Sequence, residues 1–251
     1  MADPALPDPF RWHGEHVAAD LPGGSVLFST RRGGVSAGPF ASLNLGRLTD
    51  DEGTNVDENR VRLAAATGFP RERFIYGRQI HGATVRRATE PPGATRPAVA
   101  EDGQATALEN AAALVFVADC LPVMLAGEGA VAALHGGWRG LAAGIVDEGV
   151  AALRELGATG TLAAALGPSA RSCCYEVGEE VQAQFAGVPG ARVGERNLDL
   201  PAIARRRLAD AGVETVHDTG LCTICAGAEL FFSHRRDKGV TGRQAGIVWR
   251  S

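Results

Sequence analysis

Two apolar runs of strand length, Leu121 to Ala126 and Ala130 to Leu134, are separated only by Gly127-Glu128-Gly129. Runs joined by so short a Gly-rich link predict a β-hairpin. This feature constrains the fold most, because it fixes which side chains meet at the hairpin's open end. A turn at Gly127-Glu128 sets Cys120 directly opposite His135. A turn at Glu128-Gly129 offsets the two by two residues but keeps them neighbours on one face. Opposed side chains have Cβ atoms roughly 4.5–5.5 Å apart, close enough to share one metal ion. The same pair also suits a thiol nucleophile with an imidazole base.

Elsewhere the chain alternates strand and helix signals. Ser25 to Thr30, Phe74 to Tyr76, Thr84 to Ala88, Ala113 to Ala118, Leu162 to Leu166 and Gly246 to Trp249 read as strands. Asn55 to Ala66 predicts a helix, capped by Thr54 or Asn55 and stopped by Gly68. Leu141 to Leu156 has helical spacing and ends at Gly157, and Pro201 to Ala211 predicts a third helix with Asp199 as its cap. Residues 89–104, rich in Pro, Gly and Ala, read as an exposed loop. Hairpin-linked strands among helices predict an α+β fold of mixed sheets. Residues 1–22 read as a loose leader and 23–251 as one domain.

With 251 residues and 45% hydrophobic content the chain can bury a full core. A net charge of −4 argues against nucleic-acid or anionic-membrane partners. The N-terminal segment carries no apolar signal region, and the longest apolar runs are too short for a bilayer. Five cysteines, two of them vicinal, point to a reducing cytoplasm rather than a disulfide framework. Lys238 is the only lysine and sits in a charged turn, which leaves little scope for Schiff-base chemistry.

A catalytic zinc takes about three protein ligands and keeps one position open. Cys120 and His135 supply two; His81, in Gln79-Ile80-His81-Gly82, is the best third among the remaining histidines. Gly136-Gly137-Trp138-Arg139 opens a helix and, with the Arg139 fork, favours an anion. The C-terminal cluster Arg235, Arg236 and Arg243 offers further cations for a phosphate or carboxylate. Cys222 and Cys225 form a CxxC that needs a second pair to hold a metal, and adjacent Cys173 and Cys174 read as a poor one.

Six ordered motifs from about residue 25 to the C-terminus resemble the YfiH, or laccase-domain, family. They are Ser-Leu-Asn-Leu-Gly (42–46), Gln-Ile-His-Gly (79–82), Ala-Asp-Cys-Leu-Pro-Val (118–123), His-Gly-Gly-Trp-Arg-Gly (135–140), Cys-Tyr-Glu-Val-Gly (174–178) and Ser-His-Arg-Arg-Asp with Thr-Gly-Arg (233–243). The chain departs from the family at Gly136, where Ala is usual, and at His234, where Tyr is frequent.

The resemblance implies an α+β fold of mixed sheets flanked by helices, similar to the cysteine hydrolase domain of cytotoxic necrotizing factor. It implies a catalytic zinc on His81, Cys120 and His135, with copper as an alternative occupant. It also implies purine nucleoside chemistry in the cytoplasm: phosphorolysis of adenosine, inosine or methylthioadenosine, or adenosine deamination, by a monomer taking nucleoside and phosphate. Family members are also called polyphenol oxidase and peptidoglycan editing factor. Those names imply copper-dependent phenol oxidation, or amide hydrolysis by Cys120 and His135 on a precursor of the UDP-MurNAc-L-Ser type. A multicopper centre needs far more histidines than the six present. Arg31, Asn44, Arg139, Tyr175, Arg235 and Arg236 are the expected substrate contacts.

Overall fold

The computed structural model describes residues 3–90, 99–213 and 215–251. Two six-stranded mixed sheets pack face to face. The first runs, edge to edge, β1 (Arg11–His13), β2 (His16–Leu21), β3 (Gly24–Phe28), β14 (Gln244–Trp249), β7 (Ala112–Val117) and β4 (Phe74–Ile75). The second runs β13 (Thr215–Asp218), β10 (Thr159–Leu166), β8 (Leu121–Glu128), β9 (Ala130–Gly136), β6 (Gly103–Thr106) and β5 (Val85–Ala88). The edge pairs β4–β7, β5–β6 and β10–β13 are parallel and the rest antiparallel. A short ribbon, β11 (Arg192–Val193) with β12 (Asn197–Leu198), stands apart. Mixed sheets flanked by helices are the α+β arrangement that the sequence predicts.

Strands β8 and β9 read as unbroken apolar runs because both of their faces are covered. Met124, Ala126, Val131 and Ala133 point into the space between the sheets, against Val26, Phe28, Val115 and Val248. Val123, Leu125, Ala132 and Leu134 point outward into a core closed by α3 (Ile145–Glu155), the short α4 (Glu179–Ala183) and α5 (Leu200–Asp210). On the outer face of the first sheet, Leu27, Leu114 and Ile247 meet Leu63 of α1 (Gly53–Thr67). Small residues let the sheets approach closely. A Cβ on Gly246 would stand 2.8 Å from Pro122 Cβ and 2.9 Å from the Met124 methyl.

The structure selects one of the two hairpin registers and corrects three expectations. Gly127 pairs with Ala130, so the hairpin turns at Glu128-Gly129. Gly129 takes the left-handed conformation there (φ +99°), which glycine adopts at no steric cost. His135 therefore faces Pro122, not Cys120. The shift is by two residues, so Cys120 and His135 still belong to one neighbourhood.

Residues 1–22 are not a loose leader: β1 and β2 complete the first sheet, with Val17, Ala19 and Leu21 buried in its core. The flanking Pro and Asp residues obscured that alternation. The helix expected over 141–156 is two: α2 (Trp138–Ala142) and α3, separated by Gly144 at φ +89°. The loop assigned to 89–104 extends too far. Residues 91–98 lie outside the described set, whereas Glu101, Asp102 and Gln104 are buried and Gly103 begins β6. Helix α5 follows expectation, with the Asp199 carboxylate accepting from the Ala202 amide. Among the described residues no helix is long and apolar enough to cross a membrane.

Candidate metal centre

Cys120 immediately precedes β8, His135 is the penultimate residue of β9, and His81 lies in the loop between β4 and β5. The donor atoms of these three side chains all lie within 4.8 Å of one another. The two imidazoles meet edge to face, with ring centroids 4.8 Å apart. Two β-strand ends and a loop thus converge on one point, and the loop is held there by a residue that the sequence did not single out.

That residue is Asp102. Its Oδ1 accepts from His135 Nδ1 at 2.8 Å and from the His81 amide at 2.8 Å. Its Oδ2 accepts from the amides of Ile80 (3.1 Å) and Gly82 (2.7 Å). Three consecutive amides turned toward one carboxylate require a tight turn, and His81 adopts a left-handed φ of +64° within it. Because Nδ1 of His135 is committed to Asp102, Nε2 is left to bind a metal, with its orientation fixed.

The electrostatics of the cluster reinforce themselves. Burial works against a Cys120 thiolate, but His135 and His81 overcome it and bring the thiol down to about 6. Burial also works against a charged His135, yet the Cys120 thiolate and Asp102 raise it to about 9. Asp102 ionises below the usual carboxylate range: burial opposes this, and His135 with the Gly82 and Ile80 amides outweighs it.

The donor set fits a metal. One thiolate and two imidazoles, with one imidazole oriented by a carboxylate, match a three-ligand zinc site and also suit copper. The space at the cluster is reserved by a missing side chain. A Cβ on Gly137 would stand 3.1 Å from His81 Cδ2 and 3.2 Å from Cys120 Sγ. Gly136, where the family usually carries Ala, is also crowded, its Cβ position lying 2.7 Å from the Leu121 carbonyl oxygen.

The cluster forms part of the wall of a cavity of about 660 Å³. Six arginines line it (Arg47, Arg60, Arg78, Arg139, Arg235 and Arg243), together with four aromatic side chains (Tyr76, Phe116, Trp138 and Tyr175). Asp119 is the only acidic lining residue among those described, and both of its oxygens are engaged. Oδ1 accepts from the Thr223 hydroxyl and Oδ2 from the Arg235 amide, each at 2.6 Å. The Arg139 guanidinium lies over Trp138, and that of Arg235 over Tyr175. Burial, aided by the Cys120 charge, pushes the Tyr175 phenol up to about 12 and keeps it a donor.

Of the expected substrate contacts, Arg139, Tyr175 and Arg235 line this cavity, and Arg31, Asn44 and Arg236 do not. Arg31 ties the Ala41 and Ala228 carbonyls together and stacks on Phe232. Buried Asn44 accepts from the amides of Gly46 and Arg243, so it positions the Arg243 backbone. Arg236 donates to the Thr223 and Phe231 carbonyls and pairs with Asp237. His234 lines the cavity as well. Arg243, part of the C-terminal cation cluster, lines the cavity too, whereas Arg60 and Asp102 were missed. Arg60 and Asp102 gave no local signal. The sequence reading of the other cysteines also changes: Cys173, Cys174, Cys222 and Cys225 bring their sulfurs within 4.8 Å of one another, vicinal pair included.

A two-sheet α+β protein with a thiolate–imidazole cluster at the wall of an arginine-rich cavity defines a small class. Residues 25–251 match the family described as multi-copper polyphenol oxidoreductase laccase. A purine nucleoside phosphorylase YfiH of Shigella flexneri is 38% identical over 239 residues, covering 91% of this chain and 95% of that protein. A purine nucleoside phosphorylase of Deinococcus radiodurans is 40% identical over 229 residues, covering 88% of this chain and 87% of that protein. The crystal structure of YlmD from Geobacillus stearothermophilus superposes with a TM-score of 0.88 at 34% identity, over 97% of this chain and 99% of YlmD. The chain belongs to this YfiH, laccase-domain family.

Proposed function

We propose that this protein is a metal-dependent purine nucleoside phosphorylase, with zinc held by His81, Cys120 and His135. One observation carries the reading: three metal donors within 4.8 Å of one another open onto a cavity that pairs six arginines with four aromatic side chains. The names carried by the relatives agree with it.

In phosphorolysis a phosphate oxygen bonds to the sugar C1′ as the bond from C1′ to the purine breaks. The electron pair leaves with the base, which takes up a proton, and nothing is oxidised. The chain supplies groups for each part. Arg139, Arg235 and Arg243 neutralise phosphate through charge-assisted hydrogen bonds. Trp138, Tyr175, Tyr76 and Phe116 offer apolar faces to the base and sugar. The protonated Tyr175 phenol is a donor for the departing base. When bound, the metal supplies a Lewis-acid position open to substrate. Asp102 holds His135 and the 80–82 loop so that this position is formed before substrate arrives.

The test is a product screen with adenosine, inosine and methylthioadenosine, with and without phosphate. Free base with ribose 1-phosphate, or with methylthioribose 1-phosphate from methylthioadenosine, appearing only with phosphate supports the assignment. Inosine and ammonia from adenosine without phosphate reveal deamination at the same pocket. Absence of turnover on every nucleoside overturns it.

A second reading has an observation of its own. Cys120, His135 and Asp102 form a nucleophile–base–carboxylate series, with the thiol brought down to about 6. That series suits amide hydrolysis of a cell-wall precursor through attack by Cys120. Such an enzyme survives chelation and dies on alkylation, whereas the metal enzyme is lost to chelator alone. Copper in place of zinc on the same three residues is separated from both by metal analysis of the purified protein.

A further inference from the structure

Four of the five cysteines take no part in the site above and come together elsewhere. Strands β10 and β13 run parallel, and their pairing continues past the strand ends: the Ser169 amide donates to the Leu221 carbonyl and the Thr223 amide to that of Ser169. The two segments that follow are thereby set side by side. Cys173 and Cys174 stand in a turn closed by the amides of Cys174 and Tyr175 on the Arg171 carbonyl. Cys222 and Cys225 stand in a second turn, closed by the Ala226 amide on the Cys222 carbonyl. A turn allows adjacent side chains to point to one centre, which an extended strand does not.

All four sulfurs lie within 4.8 Å of one another, and Cys173 Sγ to Cys225 Sγ is 3.6 Å. All four cysteines are free. A disulfide needs about 2.05 Å between sulfurs. A tetrahedron with metal–sulfur bonds of about 2.3 Å needs roughly 3.8 Å between them. The observed spacing brackets the second value. The spacing within the chain also suits it, since a CxxC contributes one pair and the converging turn the other.

We infer that Cys173, Cys174, Cys222 and Cys225 form a second metal site, a closed structural Zn²⁺ centre with four thiolate ligands. Four thiolates leave no open position, so the role is to hold structure. The site staples two walls of the cavity. Tyr175 follows Cys174 directly, and Thr223, between Cys222 and Cys225, anchors Asp119 beside Cys120.

The test uses the full chain carrying His81→Ala and Cys120→Ser, which removes the first site and leaves the four cysteines intact. It is reconstituted with Zn²⁺ alone under reductant, dialysed and analysed for metal. About one tightly held zinc per chain is expected, against about two for the unaltered chain. Four thiols should resist alkylation, read by mass, until a strong chelator is added. Cobalt in place of zinc should give intense thiolate-to-metal charge-transfer absorption in the same variant. A variant that retains no metal, or whose four thiols alkylate freely with zinc present, overturns the inference. So does recovery of these cysteines as disulfides that cannot be loaded with zinc after reduction. None of these readouts depends on nucleoside turnover, so failure here is distinct from failure of the phosphorylase assignment.

Discussion

The Asp102 carboxylate accepts a hydrogen bond from His135 Nδ1 at 2.8 Å, and the same oxygen accepts the amide of His81 at the same distance. One acid therefore orients one donor ring by its side chain and a second by its backbone. Substituting Asp102 with Asn keeps the shape but removes the charge and turns acceptors into a donor. We predict a 10- to 100-fold loss of zinc affinity at the first site, measured by competition with a chelating dye. An unchanged affinity would remove Asp102 from the account.

Gly137 tests the packing of the same centre. Its backbone is extended (φ −67°, ψ 157°), a conformation any residue adopts, so substitution carries no backbone strain. The added methyl in Gly137→Ala crowds His81 and Cys120 at 3.1 and 3.2 Å. The expected outcome is weaker metal binding with thermal stability of the metal-stripped protein within about 1 kcal/mol of the parent. Equal metal affinity in the two proteins would show that the site has room to spare.

Arg139 tests the anion side of the cavity. Removing one charged hydrogen-bond partner costs about 1.5–3 kcal/mol, or roughly ten- to a hundredfold. Arg139→Ala should raise KM for phosphate by that factor while the KM for nucleoside moves little. An effect confined to the nucleoside would reassign Arg139 to the base or sugar.

His16 connects the N-terminal strands to pH. It is buried in β2, and burial lowers its pKa to about 4 from an ordinary value near 6.5. The unfolded chain therefore binds a proton between those values that the folded chain excludes, so stability falls as pH drops from about 6.5 toward 4. The shift corresponds to about 3 kcal/mol. In urea unfolding across that window, His16→Gln should lose less stability than the parent. Parallel curves for the two proteins would contradict the assignment.

The legible part of this structure is the part written in local pattern. The hairpin showed itself because β8 and β9 are continuous apolar runs with glycine between them; Asp199 marked a helix start by its capping carboxylate, and Gly68 a helix end by its tolerance of a left-handed φ (+75°). His81, Cys120 and His135 were found because metal donors are rare residue types whose motifs could be matched. Asp102 was hidden in a Gly- and Ala-rich stretch, since an acidic residue there looks like surface until its four partners are in place. The two cysteine pairs failed for a related reason: they are joined by the continued pairing of β10 with β13, a long-range contact no local rule reveals. Strands β1 and β2 were obscured by charged and Pro-rich neighbours, although Val17, Ala19 and Leu21 share one buried face of β2.

The central claim is that His81, Cys120 and His135 bind a metal that phosphorolysis requires. The most direct measurement is ribose 1-phosphate formation from inosine and phosphate by the purified protein, by the protein stripped at this site with a chelator, and by the stripped protein after zinc is restored. The account predicts a loss of at least about a hundredfold on stripping, consistent with several kcal/mol of Lewis-acid stabilisation, and recovery with zinc. Full activity in protein shown by metal analysis to have lost its metal from this site would contradict it.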